Sequence, residues 1–197
     1  MKKDVVIAGV GGQGSLFATN VLCQFAMEKG FQVLGTETIG AAQRGGAVVS
    51  HMRISDAPIY SPLVPAGSAD ILIGMEAIEL LRNLSLLGKE GYYILNLFQI
   101  PTVYTNLGID PYLTFQEIGE AIKRAGIRGH EIRATQKAAE LGSPQMTNVV
   151  MLGALCSVEE FFSKGEIRPL VESLSPKKYR SKNLEAFDAG SEQARPA

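Results

Sequence analysis

The sequence predicts an α/β protein, specifically a Rossmann-like three-layer α/β/α domain with a mostly parallel sheet and a helical C-terminal appendage. Apolar runs of strand length alternate with segments of helical period along most of the chain, which is typical of this class. The first of these runs leads directly into a glycine turn that opens a helix. A length of 197 residues with 46% hydrophobic residues suits one sizeable core. We assign residues 1–163 to the α/β domain and 164–197 to the appendage, which packs either on that domain or on a partner.

The first strand and its turn are the most distinctive stretch. The apolar run Val5–Ala8 is followed by Gly9–Gly14, which holds four glycines in six residues. Glycine allows positive φ and lets the backbone approach a partner closely. The backbone N–H groups at the start of the next helix carry partial positive charge, so the turn favours an anion, usually phosphate. The helix that follows is predicted to end near Gly30.

The next segments continue the alternation of strands and helices. Residues 31–39 form a predicted strand that ends in Thr36-Glu37-Thr38, and together with the first strand and helix it makes a right-handed parallel unit. A loop at 40–46 leads to a strand at 47–55, and Ile59-Tyr60 could return as a short edge strand. The remaining predicted elements are strands at 70–74, 92–95, 98–104 (an edge strand, because of Pro101) and 130–134, and helices at 75–84, 114–125, 135–141, 148–162, 167–174 and 183–193.

Charge and residue types exclude several classes of function. A formal net charge of -1 gives no global field for nucleic acid or an anionic membrane. No run reaches the roughly 18 apolar residues of a membrane span. The two cysteines and two histidines lack the spacing of a metal or iron–sulfur site, and no phosphate loop of the G-x-x-x-x-G-K type or nucleophile elbow is present. We expect a cytoplasmic protein that binds no metal and supplies no catalytic residue.

Two glycine loops are the candidate site, and we expect them to face one another. Gly9, Gly11 and Gly14 match the dinucleotide fingerprint, and Glu37 follows Gly14 by 23 residues, where it could bind a ribose. In the second loop a guanidinium group stands beside two glycines, an arrangement that can bind phosphate or carboxylate. The predicted cofactor-binding residues are Gly11, Gly12, Gln13, Gly14, Glu37, Gln43, Arg44, Gly45 and Gly46, with His51, Arg53 and Asn96 as a wall of the same site.

Each of these features also has a purely structural interpretation. The glycines of the first loop could serve only tight strand-to-helix packing, Arg44 could be an ordinary loop arginine, and His51 could be a hydrogen-bonded core histidine. Asn96 is nominated only because it follows a predicted strand at its carboxyl end, where open α/β sheets place ligands.

The two loops and several later motifs resemble a known family. Gly9-Val10-Gly11-Gly12-Gln13-Gly14 and Ala42-Gln43-Arg44-Gly45-Gly46, which leads into Val49-Ser50-His51-Met52-Arg53, are similar to the gamma-type subunit of 2-oxoacid:ferredoxin oxidoreductases, and most similar to the indolepyruvate type. Further matches are Tyr60-Ser61-Pro62-Leu63, Ala69-Asp70, Asn148 to Leu155 and Asn183-Leu184-Glu185-Ala186-Phe187.

The resemblance implies an enzyme complex that oxidatively decarboxylates a 2-oxoacid to an acyl-CoA and reduces ferredoxin. In such a complex thiamine diphosphate and iron–sulfur clusters belong to the large partner subunit or subunits, and this chain would carry neither. The subunit would complete the assembly beside the active site or the coenzyme A path, with helix 148–162 and the C-terminal tail as its docking surfaces. Alone it could self-associate. An NAD(P)-binding Rossmann protein and a ligand-free interaction module remain as alternatives.

Overall fold

The computed structural model describes residues 1–39 and 45–193, and these form one six-stranded sheet with helices on both faces. The strands of the described residues are β1 (Lys2–Val10), β2 (Gln32–Ile39), β3 (Ala47–Ser55), β4 (Ala69–Gly74), β5 (Leu87–Asn96) and β6 (Gly129–Ile132). The α-helices are α1 (Ser15–Glu28), α2 (Ala77–Asn83), α3 (Val103–Asn106), α4 (Phe115–Arg124), α5 (Ala134–Glu140), α6 (Thr147–Val158), α7 (Lys164–Leu174) and α8 (Arg180–Gln193).

The strand order is β2-β3-β1-β4-β5-β6, and the sheet is mostly parallel, as predicted. Strands β1, β4, β5 and β6 pair in parallel, whereas β3 is antiparallel to both of its neighbours. The crossover from β1 through α1 therefore reaches a strand of the same direction, but β3 lies between the two. The unit β1-α1-β2 is thus parallel, as predicted, although β2 and β3 form a hairpin and β3 takes the position beside β1.

The two faces of the sheet carry separate hydrophobic clusters, because successive side chains of a strand point to opposite faces. Val5 and Ile7 belong to the cluster that includes α1, α6, α7 and α8. Val6 and Ala8 belong to the cluster that includes α2 and α4. Both faces of β1 are thus covered, which explains its continuous apolar sequence.

Helix α6 is buried by its own chain. Every residue from Thr147 to Leu155 is buried, and α8 packs along the helix at a very short distance. A Cβ built on Gly153 would lie 2.0 Å from the Phe187 carbonyl oxygen, and one built on Gly190 would lie 2.0 Å from the Val150 carbonyl oxygen. The sequence left open whether the core or another subunit covers this helix. The chain's own α8 covers it, so the choice of this helix as a docking surface is wrong.

The segment 98–104 is not an edge strand. The chain leaves the sheet after β5, and α3 begins at Val103 with the Thr102 side chain accepting a hydrogen bond from the Thr105 N–H as its cap. The edge position beside β5 is taken by β6 instead. Ile59-Tyr60 likewise has no strand partner among the described residues. The N-terminus of α4 forms a capping box, with reciprocal hydrogen bonds between Thr114 and Glu117.

Among the helices of the described ranges, none combines the length and the apolar character that crossing a bilayer requires.

Candidate functional site

The glycine turn after β1 presents a helix N-terminus. Gly12 and Gly14 have φ values of +102° and +78°, a region in which residues with a Cβ are strained. Gly14 is the N-cap of α1, and no side chain of the described residues caps this helix. The N–H groups of the first turn, which helices cannot satisfy internally, are therefore available at the surface of the turn.

The described end of the second glycine loop lies against the first. The Gly11 N–H donates to the Gly46 carbonyl oxygen over 2.9 Å, and Val10 pairs with Ala47 at the end of the β1–β3 ladder. The structure therefore places the first loop and the described end of the second loop, Gly45 and Gly46, at one end of the same strand pair. Gln43 and Arg44 lie outside the described residues, and Arg44 precedes Gly45 directly in the chain.

A cavity of about 390 Å³ adjoins the turn, and Glu37 forms part of its wall. Ser15 Oγ and Ser50 Oγ both donate to Glu37 Oε1, over 3.0 and 2.8 Å. The lining residues are Gly11, Gly12, Gly14, Ser15, Leu16, Glu37 and Val48. The lining of the cavity thus includes both the turn with its N–H groups and a carboxylate acceptor, which is hydrogen-bonded to the first residue of α1. Sequence reasoning found Glu37 but missed Ser15 and Ser50, although Ser15 directly follows the turn.

Gln13 is a structural residue of this site. Its Oε1 accepts from the Val10 N–H over 2.7 Å, and its Nε2 donates to the Met75 carbonyl oxygen over 3.0 Å. The side chain therefore bridges the turn after β1 and the turn after β4. This crevice between neighbouring strands is where a Rossmann fold holds the pyrophosphate of a dinucleotide. A Cβ on Gly9 would lie 2.7 Å from Gln13 Oε1, so Gly9 makes room for this bridge.

Asn96 is fully buried and does not line the cavity. Its Nδ2 donates to the Met75 carbonyl oxygen over 2.9 Å and to Thr135 Oγ1 over 2.8 Å, and its Oδ1 accepts from the Thr135 N–H. Asn96 and Gln13 thus share one carbonyl oxygen. The sequence position of Asn96 correctly predicted that it lies at the carboxyl edge of the sheet. Its side chain, however, uses its hydrogen bonds to connect β4, β5 and α5.

His51 and Arg53 are not part of the cavity wall, which corrects the prediction. His51 Nδ1 accepts from the Val64 N–H over 3.3 Å, and burial lowers the pKa of the imidazole, so the neutral ring serves as a core acceptor. Arg53 Nε lies 3.0 Å from Asp4 Oδ1. Asp4 lies near the start of β1, at the opposite end of the strand from the glycine turn. Both side chains lie on the same face of β3, as predicted, but neither lines the cavity beside the loops.

Glu76 organises the segment that follows β5. The carboxyl group is buried at the N-terminus of α2, where Oε2 accepts from the Glu79 N–H over 2.9 Å. Its Oε1 accepts from the Ile100 N–H over 3.1 Å and from the Tyr112 hydroxyl group. Burial raises the pKa of Glu76 against the opposing effect of these backbone donors. The residue therefore holds both ends of the connection between β5 and α4.

A second cavity, of about 380 Å³, lies on the other side of the first turn of α1. Phe17, Met146 and Val149 supply apolar walls, and Asn148 joins them while its Nδ2 donates to the Gly14 carbonyl oxygen over 3.1 Å. Tyr179 closes the cavity from the segment before α8. Sequence reasoning did not find this cavity, because its walls come from three segments that are distant in sequence.

The described residues do not fit an iron–sulfur cluster or a metal ion. No group of three or more His, Cys, Asp or Glu side chains in residues 1–39 and 45–193 could hold a metal. Burial raises the pKa of Cys23 to about 11 and that of Cys156 to about 12. Both cysteines are protonated thiols at neutral pH, in which form they are neither nucleophiles nor cluster ligands.

Comparisons with known proteins identify a family model and relatives that match almost the whole chain. Residues 4–193 match the family model described as pyruvate ferredoxin/flavodoxin oxidoreductase. The chain is 34% identical over 194 residues to the indolepyruvate oxidoreductase subunit IorB of Thermococcus kodakarensis, and the match covers 98% of this chain and 96% of the relative.

Two solved structures share the fold. The gamma subunit of a keto/oxoacid ferredoxin oxidoreductase from Geobacter sulfurreducens superimposes with a TM-score of 0.71 at 22% identity, over 98% of each chain. The 2-oxoglutarate:ferredoxin oxidoreductase of Magnetococcus marinus gives a TM-score of 0.74 at 21% identity, over 98% of this chain and 31% of that longer chain.

Proposed function

The chain belongs to the pyruvate ferredoxin/flavodoxin oxidoreductase family, and from this we propose that its glycine cavity meets a phosphate-bearing cofactor of the assembled enzyme. The chain is a subunit of a 2-oxoacid:ferredoxin oxidoreductase, which decarboxylates a 2-oxoacid oxidatively to an acyl-CoA and reduces ferredoxin. The described residues offer no cluster ligands. We therefore assign the thiamine diphosphate and the iron–sulfur clusters of the complex to larger partner subunits.

The contact between the two glycine loops carries this proposal. The hydrogen bond from the Gly11 N–H to the Gly46 carbonyl oxygen brings the second loop to the N-terminus of α1. Backbone donors at a helix N-terminus and a nearby guanidinium group form a strong binding site for phosphate. Arg44 directly precedes Gly45 in the chain, and we propose that its guanidinium group is the cation of this site. No catalytic role for this chain is required by the arrangement.

Glu37 narrows the class of ligand. A carboxylate in the wall of the cavity repels an isolated phosphate but accepts hydrogen bonds from hydroxyl or amino groups. A ligand that carries phosphate and hydroxyl groups together satisfies both walls of the cavity. Coenzyme A, with its phosphorylated ribose, has this chemistry and is a reactant of the complex. We assign coenzyme A to the site as the ligand that fits these walls.

Our proposal for the substrate class rests on the relatives of this chain and not on the cavity. The Thermococcus kodakarensis relative is an indolepyruvate oxidoreductase subunit. An aryl pyruvate is accordingly the substrate class that we propose, with the pocket that selects it in the partner subunits.

Replacing Arg44 by alanine in the reconstituted complex tests the site. We expect the KM for coenzyme A to rise about 10- to 100-fold, which corresponds to the loss of a hydrogen bond to a charged group. Steady-state kinetics at several coenzyme A concentrations measure this. The matched control is Arg124→Ala, at the end of α4 and at the opposite edge of the sheet, which should leave the KM unchanged.

Two results would contradict the assignment. If the Arg44→Ala complex keeps the KM for coenzyme A and the turnover of the unmodified complex, the assignment of the coenzyme A site is wrong. Micromolar binding of NAD(H) or NADP(H) to the purified subunit, measured by calorimetry, would favour a dinucleotide-dependent protein instead. We expect no such binding, because the relatives of this chain are ferredoxin oxidoreductase subunits.

A further inference from the structure

The connection between β5 and α4, residues 97–114, is unusual in composition. It contains one residue with a formal charge, Asp110, whereas 20% of the whole chain is charged. A surface segment that is nearly free of charge is typical of the centre of a protein interface rather than of a solvated loop.

The apolar side chains of this connection point to solvent. Val103, Tyr104, Leu107 and Ile109 are 73%, 60%, 66% and 62% exposed. Leu107, at the end of α3, lies four residues after Val103 and three after Tyr104, so it is next to both on one side of the helix. The Ile109 N–H donates to the Tyr104 carbonyl oxygen over 2.9 Å, which brings the fourth beside them. Together they expose several hundred Å² of apolar surface, a size that marks an interaction site in soluble proteins.

The connection is held in place without a partner. Glu76 accepts from the Ile100 N–H and from the Tyr112 hydroxyl group. Gln99 Nε2 donates to the Leu113 carbonyl oxygen over 2.7 Å, which ties the two ends of the connection together. A surface that is ordered before binding loses little conformational entropy when a partner covers it.

A cavity of about 310 Å³ adjoins the same surface. Leu97 and Phe115 line it from the two ends of the connection, and Glu131 and Arg133 form its polar wall. Pockets of this kind receive the anchor side chains that contribute most of the binding energy at an interface.

The position in the sheet indicates what covers this surface. Strands β1, β4 and β5 are parallel and neighbours, so the glycine turn and the connection leave the sheet at the same edge. The ends of β1 and β5 are two strand spacings apart, on the order of 10 Å, and the glycine cavity extends from the turn after β1 towards β2 and β3. A large subunit that covers the connection at this edge is therefore close enough to extend over the glycine turn as well. In the Magnetococcus marinus structure the same fold is part of a chain about three times as long.

We propose that residues 97–115, with α3 at their centre, are the docking surface for the larger cofactor-carrying subunit of the complex. The proposal rests on the proposed function of the chain as a subunit of this enzyme. Docking there places the partner over the open side of the glycine cavity, so that assembly completes the cofactor site.

The test is a binding titration between this chain and the large subunit, followed by analytical ultracentrifugation. Leu107→Glu places a charge at the centre of the surface and should weaken the affinity by about 30-fold or more, the scale of an interface hot spot. Met27→Glu, at a 54% exposed position near the end of α1, is the matched control and should bind within about twofold of the unmodified chain. The melting temperatures of both variants should stay close to that of the unmodified chain.

The outcomes separate this proposal from the function on which it rests. If Leu107→Glu lowers the melting temperature, Val103→Lys at a 73% exposed position replaces it and must show the same loss of affinity. If the surface variant binds the large subunit as tightly as the unmodified chain, the docking surface is wrong but the function as a subunit stands. Failure of the unmodified chain to bind the large subunit contradicts the function as well. The unmodified chain could instead form a homodimer that Leu107→Glu dissociates, while binding of the large subunit is unchanged. That result would assign the surface to a second copy of this chain and overturn the proposal.

Discussion

At the scale of single residues, Gly14 connects the candidate site to the core. Its φ of +78° turns the chain into α1, and its carbonyl oxygen accepts from Asn148 Nδ2 on α6. A Cβ at this position would lie 2.4 Å from that same nitrogen. The absence of a side chain is therefore required twice, once by the backbone angle and once by the neighbouring amide.

Substitution of Gly14 by alanine should lower the free energy of unfolding more than the same change at Gly30. Gly30 has nearly the same φ, +80°, but no heavy atom lies within 4 Å of its built Cβ. Both variants carry the backbone cost of about 1–2 kcal/mol. Gly14→Ala should lose about 1 kcal/mol more, because the Asn148 hydrogen bond must break. Urea denaturation of the two variants measures the difference, and equal losses would mean that Asn148 adjusts freely.

At the scale of secondary-structure elements, the crossing of α6 and α8 determines how the C-terminal segment packs. Gly153 and Gly190 lie where the two backbones touch, and each would place a Cβ 2.0 Å from a carbonyl oxygen of the other helix. Larger residues would force the helices apart. The close approach buries Ala186 and Phe187 of α8 completely. The hydrophobic face of α6 is covered in this way without a partner chain.

Gly153→Ala should therefore destabilise the protein even though alanine is the better helix former. Overpacking at a close helix crossing costs about 1–3 kcal/mol. The control is Gly119→Ala in α4, where nothing lies within 4 Å of the built Cβ and where alanine should stabilise the protein by up to about 1 kcal/mol. Thermal unfolding by circular dichroism compares the two. A stabilising effect at both positions would show that the crossing can open without cost.

At the scale of the whole molecule, residues 164–193 contribute to the main core. Ile167, Val171 and Phe187 are fully buried in the same cluster as Val5 and Phe25. Burial of each such side chain stabilises a protein by about 1.5–3 kcal/mol. Three of them together approach the 5–15 kcal/mol that is the whole stability of a typical domain. The α/β part is thus energetically dependent on the C-terminal helices.

A chain that ends at residue 163 should consequently fail to unfold cooperatively or should be insoluble. The uncovered face of α6 would be exposed, and such apolar faces aggregate. A chain that ends at Gln193 is the control and should behave as the full-length protein, since α8 is then complete. Differential scanning calorimetry of both chains decides the matter. A sharp transition in the shorter chain would mean that residues 1–163 are an autonomous domain.

The sequence by itself determined the fold class, the glycine turn and most of the elements, because these depend on local signals: hydrophobic period, glycine and capping residues such as Thr114 and Glu117. It also indicated that Glu37 lies near the glycine turn, where the structure has it in the cavity wall, since the spacing from Gly14 reflects one strand–helix–strand unit. Only the tertiary structure placed β3 between β1 and β2, turned His51 and Arg53 away from the loops, covered α6 with α8 and exposed α3. Each of these depends on which distant segments become neighbours, and a periodic pattern shows that a face is buried without showing what buries it.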